Sequence, residues 1–285
     1  IICIIFVFIG FYKFKGSNFF EIGPIKYKHP HKNKILIKLI DYFLIIFFSI
    51  FLFSPVILLY SEFLKSIFFK IELTYTFIHA FINSIIISLS TGLVVSIFGL
   101  LISYLLVINH KNFLLQQLLF LTSSMILIIS PIIFSLGYFI FFQPIIHYSY
   151  LNFFLVILIN IIFLLPFAIL IFFNNLKNLY LNFNDFRKTY RIELINYIKI
   201  IFPLLKNNFL YVFSFSTVIT LGDFTIISFF RSENFETLPS YLFKLISTYQ
   251  FNEASFVAGT ILVISMIIYF LIDNLNYQGR PDITT

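Results

Sequence analysis

The chain has 285 residues, of which 60% are hydrophobic and 11% are charged. Soluble globular domains carry about 25% charged residues, so the composition excludes that class of protein. The formal net charge of +7 does not indicate a nucleic-acid-binding protein, because most basic residues fall in a few short segments between apolar blocks.

Apolar blocks of around 20 residues recur along the chain, and each is long enough as a helix to cross roughly 30 Å of hydrocarbon. Barrel strands would instead alternate in short segments. The predicted fold is therefore an all-α polytopic membrane protein with about six transmembrane helices and part of another at its start. The predicted spans are residues 37–60, 83–108, 113–142, 151–173, 207–230 and 256–272.

The first 36 residues are predicted to precede a transmembrane domain that occupies residues 37–285. Residues 1–12 begin without methionine inside an apolar run, which predicts the remnant of a preceding helix and a chain truncated at its N-terminus. Residues 13–36 hold six lysines against one glutamate. They are therefore expected to form a cytoplasmic basic linker between two halves of a longer protein.

Basic residues are distributed unevenly among the segments that connect the spans. The segments assigned to the cytoplasm, with Lys38 at the edge of the first, hold 15 of the 19 Lys and Arg residues. Because Lys and Arg accumulate on the cytoplasmic side of membrane proteins, this bias predicts the orientation of every span. Residues 61–82, 143–150 and 231–255 are then external.

Two spans carry residues that predict how they pack. The span 113–142 is too long for one straight helix, and Pro131 followed by Gly137 predicts a kink or an interruption. The span 83–108 has a face of small residues, which allows a neighbouring helix to approach closely. That face consists of Ser88, Ser90, Gly92, Ser96, Gly99 and Ser103.

The sequence contains no pattern typical of a catalytic or metal-binding centre. A single cysteine, Cys3, excludes an internal disulfide and a cysteine-based metal site. His29 and His31 are the only closely spaced histidines, and in their basic segment they are interpreted as solvated residues. Walker glycine loops, zincin helices, nucleophile elbows and paired carboxylates are also missing from the sequence. We therefore expect no cofactor, no metal and no enzymatic activity of the chain itself.

Four residues within the spans are candidates for a transport path: Asn160, Thr220, Gly222 and Asp223. Asp223 is placed about 25 Å along its helix, in the outer part of the membrane. A carboxylate at that depth indicates function, because burying it without a partner is costly. The alternative is a carboxylate near the headgroups that pairs with Arg231 or caps a helix break at Gly222. For Asn160 and Thr220 the alternative is hydrogen bonding between helices.

Residues 174–206, here called the basic segment, separate two spans and still carry a helical repeat. Their apolar positions recur at steps of three or four, so a helix would gather them on one side. Such a face suits a helix that docks into a groove of a soluble partner. The alternative is a basic loop that follows the topology rules alone. The apolar positions are Phe183, Phe186, Tyr190, Leu194, Tyr197 and Ile201.

The basic segment resembles the cytoplasmic motif of binding-protein-dependent ABC transporter permeases. That motif reads EAA, three residues, G, nine residues, I, one residue, LP. When it is aligned on Pro203, its isoleucine matches Ile200 and its glycine position falls on Tyr190. The EAA positions fall on Asn184, Asp185 and Phe186, so the C-terminal end of the motif is kept while its glycine and alanines are replaced.

The chain is also similar to the C-terminal half of thiamine-transporting members of this family. Ferric-iron permeases share the architecture of those members. The similarity extends from about residue 30 to residue 272 and is strongest between Gly222 and Tyr249. It is carried by Leu221-Gly222-Asp223-Phe224, by the run Phe235 to Leu242, and by Ser247-Thr248-Tyr249.

The resemblance implies the fold of a type I ABC importer permease in a bacterial inner membrane. It also implies a cytoplasmic ATP-binding cassette subunit, a periplasmic substrate-binding protein and a second permease half as partners, and thiamine or its phosphates as cargo. Arg187, Lys188 and Arg191 would then contact the ATPase, and Asp223 would attract the cationic substrate. The alternatives are iron or another small solute as cargo, and a secondary transporter that works without an ATPase.

Overall fold

The computed structural model describes residues 34–68, 75–108, 117, 129–144, 149–190, 194–231 and 235–277. Eight helices are bounded within these ranges. They are α1 (Lys34–Phe68), α2 (Tyr75–Ile108), α3 (Pro131–Phe142), α4 (Ser149–Tyr190), α5 (Leu194–Gly222), α6 (Ile227–Phe230), α7 (Leu238–Ser247) and α8 (Phe251–Tyr277). The predicted remnant and linker before residue 34 lie outside the described residues.

Four of the helices contain stretches that are long and apolar enough to cross a membrane. These stretches are Leu39–Lys65, Tyr75–Ile108, Leu151–Leu179 and Phe251–Ile272, and α3 is a shorter apolar helix. They overlap four of the six predicted spans. The prediction of an all-α polytopic membrane protein is therefore confirmed.

The chain divides into two compact units, residues 1–58 and 59–285. In the first unit, α1 exposes every residue from Leu39 to Leu58, and nearly all of these side chains are apolar. A surface of that composition is suited to contact with lipid. Helix α1 runs through Pro55 and continues to Phe68.

The core of the second unit is built from α2, α4 and α5. Helices α2 and α4 run in the same direction, because Ile87 clusters with Val156 while Gly99 meets Ala168 further along. Helix α5 runs in the opposite direction. Its early residue Leu205 belongs to the cluster that contains late residues of α2 and α4, whereas the chain after α5 joins the cluster around Ile87. These directions agree with the topology predicted from the basic residues.

The small-residue face of α2 is the surface that brings the three helices together. A Cβ atom added to Gly99 would lie 2.6 Å from Cβ of Ala168, and one added to Gly92 would collide with Thr217. Ser103 Oγ also donates across to the carbonyl of Ile169 at 3.2 Å. Five of the six residues in the predicted face are buried. Ser90 is the exception, half-buried and bonded to the carbonyl of Ile86 in its own helix.

Several predicted bounds differ from the structure, since α1 continues to Phe68, α2 begins at Tyr75 and α4 continues to Tyr190. The span predicted over residues 207–230 is wrong as one helix, because α5 ends at Gly222 and α6 begins only at Ile227. The external segment predicted over residues 231–255 contains helix α7 and the start of α8. The error at Gly222 comes from apolar composition, which indicates a length compatible with lipid and does not indicate where backbone hydrogen bonds stop.

The structure describes a helix start at Pro131, where the sequence predicted a kink or an interruption. Helix α3 begins at this proline, and Ser130 precedes it in an extended conformation. Proline suits the first position of a helix, since its missing N–H would have no partner there. Gly137 lies inside α3 with no atom within 4 Å of an added Cβ, and residues 118–128 lie outside the described part.

Candidate functional site

Helix α5 ends at Gly222 in a turn that the carboxylate of Asp223 closes. Oδ1 of Asp223 accepts hydrogen bonds from the backbone N–H of Thr225, at 2.9 Å, and from its hydroxyl. Oδ2 lies 3.4 Å from the N–H of Ile226. The backbone of Ser228 then donates to the carbonyl of Phe224 at 2.9 Å, which starts the turn leading into α6. Asp223 therefore closes an Asx-type turn that caps the break between α5 and α6, while Ile226, the residue directly before α6, provides no side-chain cap.

The capped turn is anchored by apolar side chains that follow it. Ile226, Ile227 and Phe230 are almost completely buried, in a cluster that includes Ile87 of α2 and Val156 of α4. Within a membrane such side chains stabilise the fold through close packing, because lipid is as apolar as the protein interior. The chain after Asp223 is thus folded back onto the bundle.

Helix α7 is held at its N-terminus by helix α2. The hydroxyl of Ser84 accepts a hydrogen bond from the N–H of Leu238 at 2.7 Å, and Asn83 Nδ2 donates to the carbonyl of Glu236 at 3.0 Å. Thr237 and Ser240 form a reciprocal capping box, with Pro239 in the first turn. The first backbone groups of α7 therefore have partners, which a buried helix start requires.

The C-terminus of α7 ends in a Schellman arrangement with tyrosine at the left-handed position. The backbone of Tyr249 has φ of 61°. The N–H of Tyr249 donates to the carbonyl of Ile246 at 3.1 Å, and the N–H of Gln250 donates to the carbonyl of Leu245 at 2.9 Å. Glycine is the usual residue at this position. Tyr249 is 80% exposed and makes an edge contact with Phe251.

Phe224, which follows the end of α5, contacts the middle of α7. Its ring stacks on that of Phe243 with centroids 4.7 Å apart and an interplanar angle of 28°. Beside this pair lies an open groove of about 280 Å³. It is lined by Gly222, Phe224, Pro239, Leu242, Phe243, Ile246, Ala258 and Ile261. We call residues 222–231 and 235–250 the break segment, because they join α5 to α8 around the helix break.

The four predicted path residues fall into two groups. Gly222 and Asp223 lie at the break, where the carboxylate of Asp223 bonds to the turn that follows, and their role in a transport path stays a prediction. Among the described residues, Lys65 pairs with Glu62 and Lys244 pairs with Glu236, whereas Asp223 is not paired with Arg231.

Asn160 and Thr220 are buried inside the bundle and bond within their own helices. Asn160 Nδ2 donates to the carbonyl of Val156 at 2.9 Å, and the Thr220 hydroxyl donates to that of Ser216 at 2.8 Å. The hydroxyl of Thr217 likewise donates to Ser214 at 2.8 Å. Serine and threonine often bond back to the preceding turn of a helix. These bonds lie within single helices, and both interpretations of Asn160 and Thr220 stay predictions.

The basic segment lies at the opposite end of α5. Its first half, including Asn184 to Tyr190, forms the last turns of α4, while Ile200 and Pro203 lie in the first turns of α5. Arg191 is outside the described residues, and the side chains of residues 180–204 are not described. Helix α4 has 42 residues, about 63 Å at 1.5 Å per residue, which exceeds a hydrocarbon core of about 30 Å.

Sequence reasoning missed the contact between α2 and α7 and the left-handed Tyr249. Thr237 followed three residues later by Ser240, with a proline between them, is a helix-start pattern that could have located α7. Nothing local in the sequence indicates Tyr249, because tyrosine is not a residue typical of that conformation. No group of three or more potential metal ligands occurs among the residues described.

No protein-family profile matches the chain. It is similar to the thiamine transport system permease protein ThiP of Salmonella typhimurium, with 26% identity over 122 residues, 42% of this chain and 23% of that protein. ThiP of Escherichia coli is 23% identical over 167 residues, 58% of this chain and 31% of that protein. ThiP of Haemophilus influenzae is 30% identical over 74 residues, 26% of this chain and 13% of that protein.

The matches span less than a third of the length of each of these curated relatives. All three are permeases, so the resemblance drawn from the sequence is confirmed. Together with the four apolar helices, the similarity identifies a multi-pass protein of the bacterial inner membrane.

Proposed function

We propose that this relative of the thiamine transport permeases is the membrane-spanning subunit of an ABC importer for thiamine or thiamine phosphates. The observation that carries the proposal is the similarity to three permeases of that name from three bacteria. A periplasmic binding protein delivers the substrate at the end of the bundle that bears the break segment. A separate cytoplasmic ATPase supplies the energy.

The ATPase contacts the basic segment. Two features support this assignment: the helix α4 is longer than the membrane requires, and the segment keeps the Ile200 and Pro203 of the permease motif. Its apolar residues enter a groove on the ATPase, and Arg187, Lys188 and Arg191 meet acidic residues around it. Tyr190 occupies the position at which the motif has glycine, so the basic segment and the ATPase meet across a larger side chain.

Transport then follows from two arrangements of the bundle. ATP binding closes the ATPase and favours the outward-facing arrangement, and release of the nucleotide favours the other, because the partner binds the two with different affinity. Rigid movement of helix bundles around a central site gives alternating access. The second set of helices comes from another permease half, in the same chain or in a second copy.

ATP hydrolysis by the complex tests this proposal. The protein is purified with its co-expressed ATPase, placed in lipid nanodiscs and mixed with its binding protein. Binding protein loaded with thiamine is expected to stimulate hydrolysis, whereas empty binding protein stimulates it less. Stimulation by ferric iron and not by thiamine would assign a different cargo, and a chain that retains no ATPase would exclude an ABC permease.

A further inference from the structure

The carboxylate of Asp223 is already committed to hydrogen bonds within its own turn. Its two oxygens face three donors, two from Thr225 and one from the backbone of Ile226. A carboxylate accepts at about four lone-pair positions, so most of its capacity is used. This geometry suits a cap and leaves little of the carboxylate for a passing cation.

The cap also determines where Phe224 points. Phe224 lies between Asp223 and Thr225, the two residues joined by the cap, so the turn fixes its backbone. Its ring stacks on Phe243, which is in α7. The start of α7 is separately bonded to α2 through Ser84. The turn at Asp223 therefore provides a second attachment of α7, this time to α5.

We propose that Asp223 serves transport as a positioning residue, whose capped turn holds Phe224 against Phe243 and so fastens α7 to the end of α5. The inference rests on the proposed function for its link to transport. The attachment of α7 to the end of α5 by the turn at Asp223 does not depend on which substrate is transported. What the site needs from residue 223 is a hydrogen-bond acceptor, and the negative charge is dispensable.

Two substitutions separate the cap from the charge. Asp223→Asn keeps an oxygen that accepts both bonds from Thr225 and removes the charge, whereas Asp223→Ala removes the cap. Glu253→Gln, which neutralises a carboxylate in the first turn of α8, is the matched control for charge at this end of the bundle. Thr225→Val removes only the hydroxyl donor and gives an intermediate variant.

Thiamine uptake by the reconstituted complex is measured as KM and maximal rate. We expect Asp223→Asn and Glu253→Gln to resemble the wild type, and Asp223→Ala to lose about tenfold in maximal rate, because the hydrogen bonds that close the turn are lost. A cation attractor gives a different pattern. If Asp223→Asn raises KM as much as Asp223→Ala does, the positioning role is overturned.

A cross-linking measurement tests the positioning role of Asp223 without relying on the identity of the substrate. Phe224→Cys and Phe243→Cys are combined in a Cys3→Ser background, which removes the one native cysteine. With a short bifunctional reagent, we expect efficient cross-linking with Asp223 or Asn at position 223 and reduced cross-linking with Ala. Equal yields in all three contradict the proposal, even if the wild type transports no thiamine. A wild type without thiamine uptake but with the expected cross-linking pattern would instead contradict the cargo.

Discussion

Tyr249 holds a backbone conformation that tyrosine rarely adopts. Its φ of 61° is in the left-handed region, where the Cβ of an L-residue crowds the following carbonyl at a cost of about 1–2 kcal/mol. The conformation persists because the hydrogen bonds of Tyr249 and Gln250 close the end of α7. The side chain is mostly exposed, so little packing depends on it.

We therefore expect Tyr249→Gly to stabilise the protein. Glycine adopts the left-handed conformation without strain, which should raise the free energy of unfolding by about 1 kcal/mol and the Tm by roughly 2 °C. Tyr249→Ala is the matched control, since it loses the same contact with Phe251 and keeps the strain. Thermal unfolding of the purified protein measures both, and equal Tm values for the two variants would show that strain is not the cause.

At the scale of helices, close packing depends on the small-residue face of α2. Gly99 meets Ala168 at a distance that leaves no space for a methyl group, whereas no atom of the described residues lies within 4 Å of a Cβ added to Gly137 on α3. Adding volume to a packed interface costs about 1–3 kcal/mol. An alanine in an open helical position instead gains up to about 1 kcal/mol over glycine.

We expect opposite effects of the same substitution at these two glycines. Gly99→Ala should lower the Tm because α2 and α4 must separate, and Gly137→Ala should leave it unchanged or raise it. The measurement is thermal unfolding in detergent. A loss of stability at position 137 as large as at position 99 would contradict the assignment of Gly99 to a close helix contact.

The basic segment provides a second prediction at this scale. Reversing Arg187, Lys188 and Arg191 to Glu should abolish co-purification of the ATPase, because like charges then face each other across the contact. The control reverses Lys13, Lys15 and Lys26, three basic residues that the sequence also assigns to the cytoplasm. Retention of the ATPase by the first variant, or its loss only in the control, would remove the basic segment as the contact.

Helices were predictable from the sequence where a span is long and where small residues mark its packed face. The small-residue face of α2 was predictable because Gly and Ser recur on one side of the helix. The end of α5 at Gly222 was not predictable from composition, because the apolar run continues through Phe230. In the structure, the hydrogen bonds of Asp223 mark the turn at which the helix ends. Helix α7 lies in a segment that the sequence predicted only as external, where two of the charged residues, Glu236 and Lys244, pair with each other.

At the scale of the molecule, several exposed aromatic side chains lie at the end of the second unit that bears the break segment. Tyr75, Tyr249 and Phe251 are all at least 60% exposed, at the start of α2 and around the start of α8. These helix ends are close together, since Phe77 of α2 contacts Phe256 of α8. Tyrosine is enriched where a membrane meets water. We therefore expect this end at the external headgroups.

Tryptophan fluorescence tests that depth, because the chain contains no native tryptophan. Tyr75→Trp and Tyr249→Trp should be quenched best by lipids brominated near the headgroup. Leu89→Trp is the control, since it is exposed on α2 about 21 Å further along the helix and should respond to bromine deep in the acyl chains. Deep quenching at positions 75 and 249 would contradict the predicted membrane boundary.

The most direct test of the central claim is uptake of labelled thiamine into proteoliposomes that contain the protein with its ATPase and enclose ATP. The binding protein is added outside. The account predicts uptake that requires both ATP and the binding protein, exceeds that of labelled ferric iron, and is inhibited by unlabelled thiamine. Uptake of iron without uptake of thiamine, or thiamine entry that is independent of ATP, would contradict it.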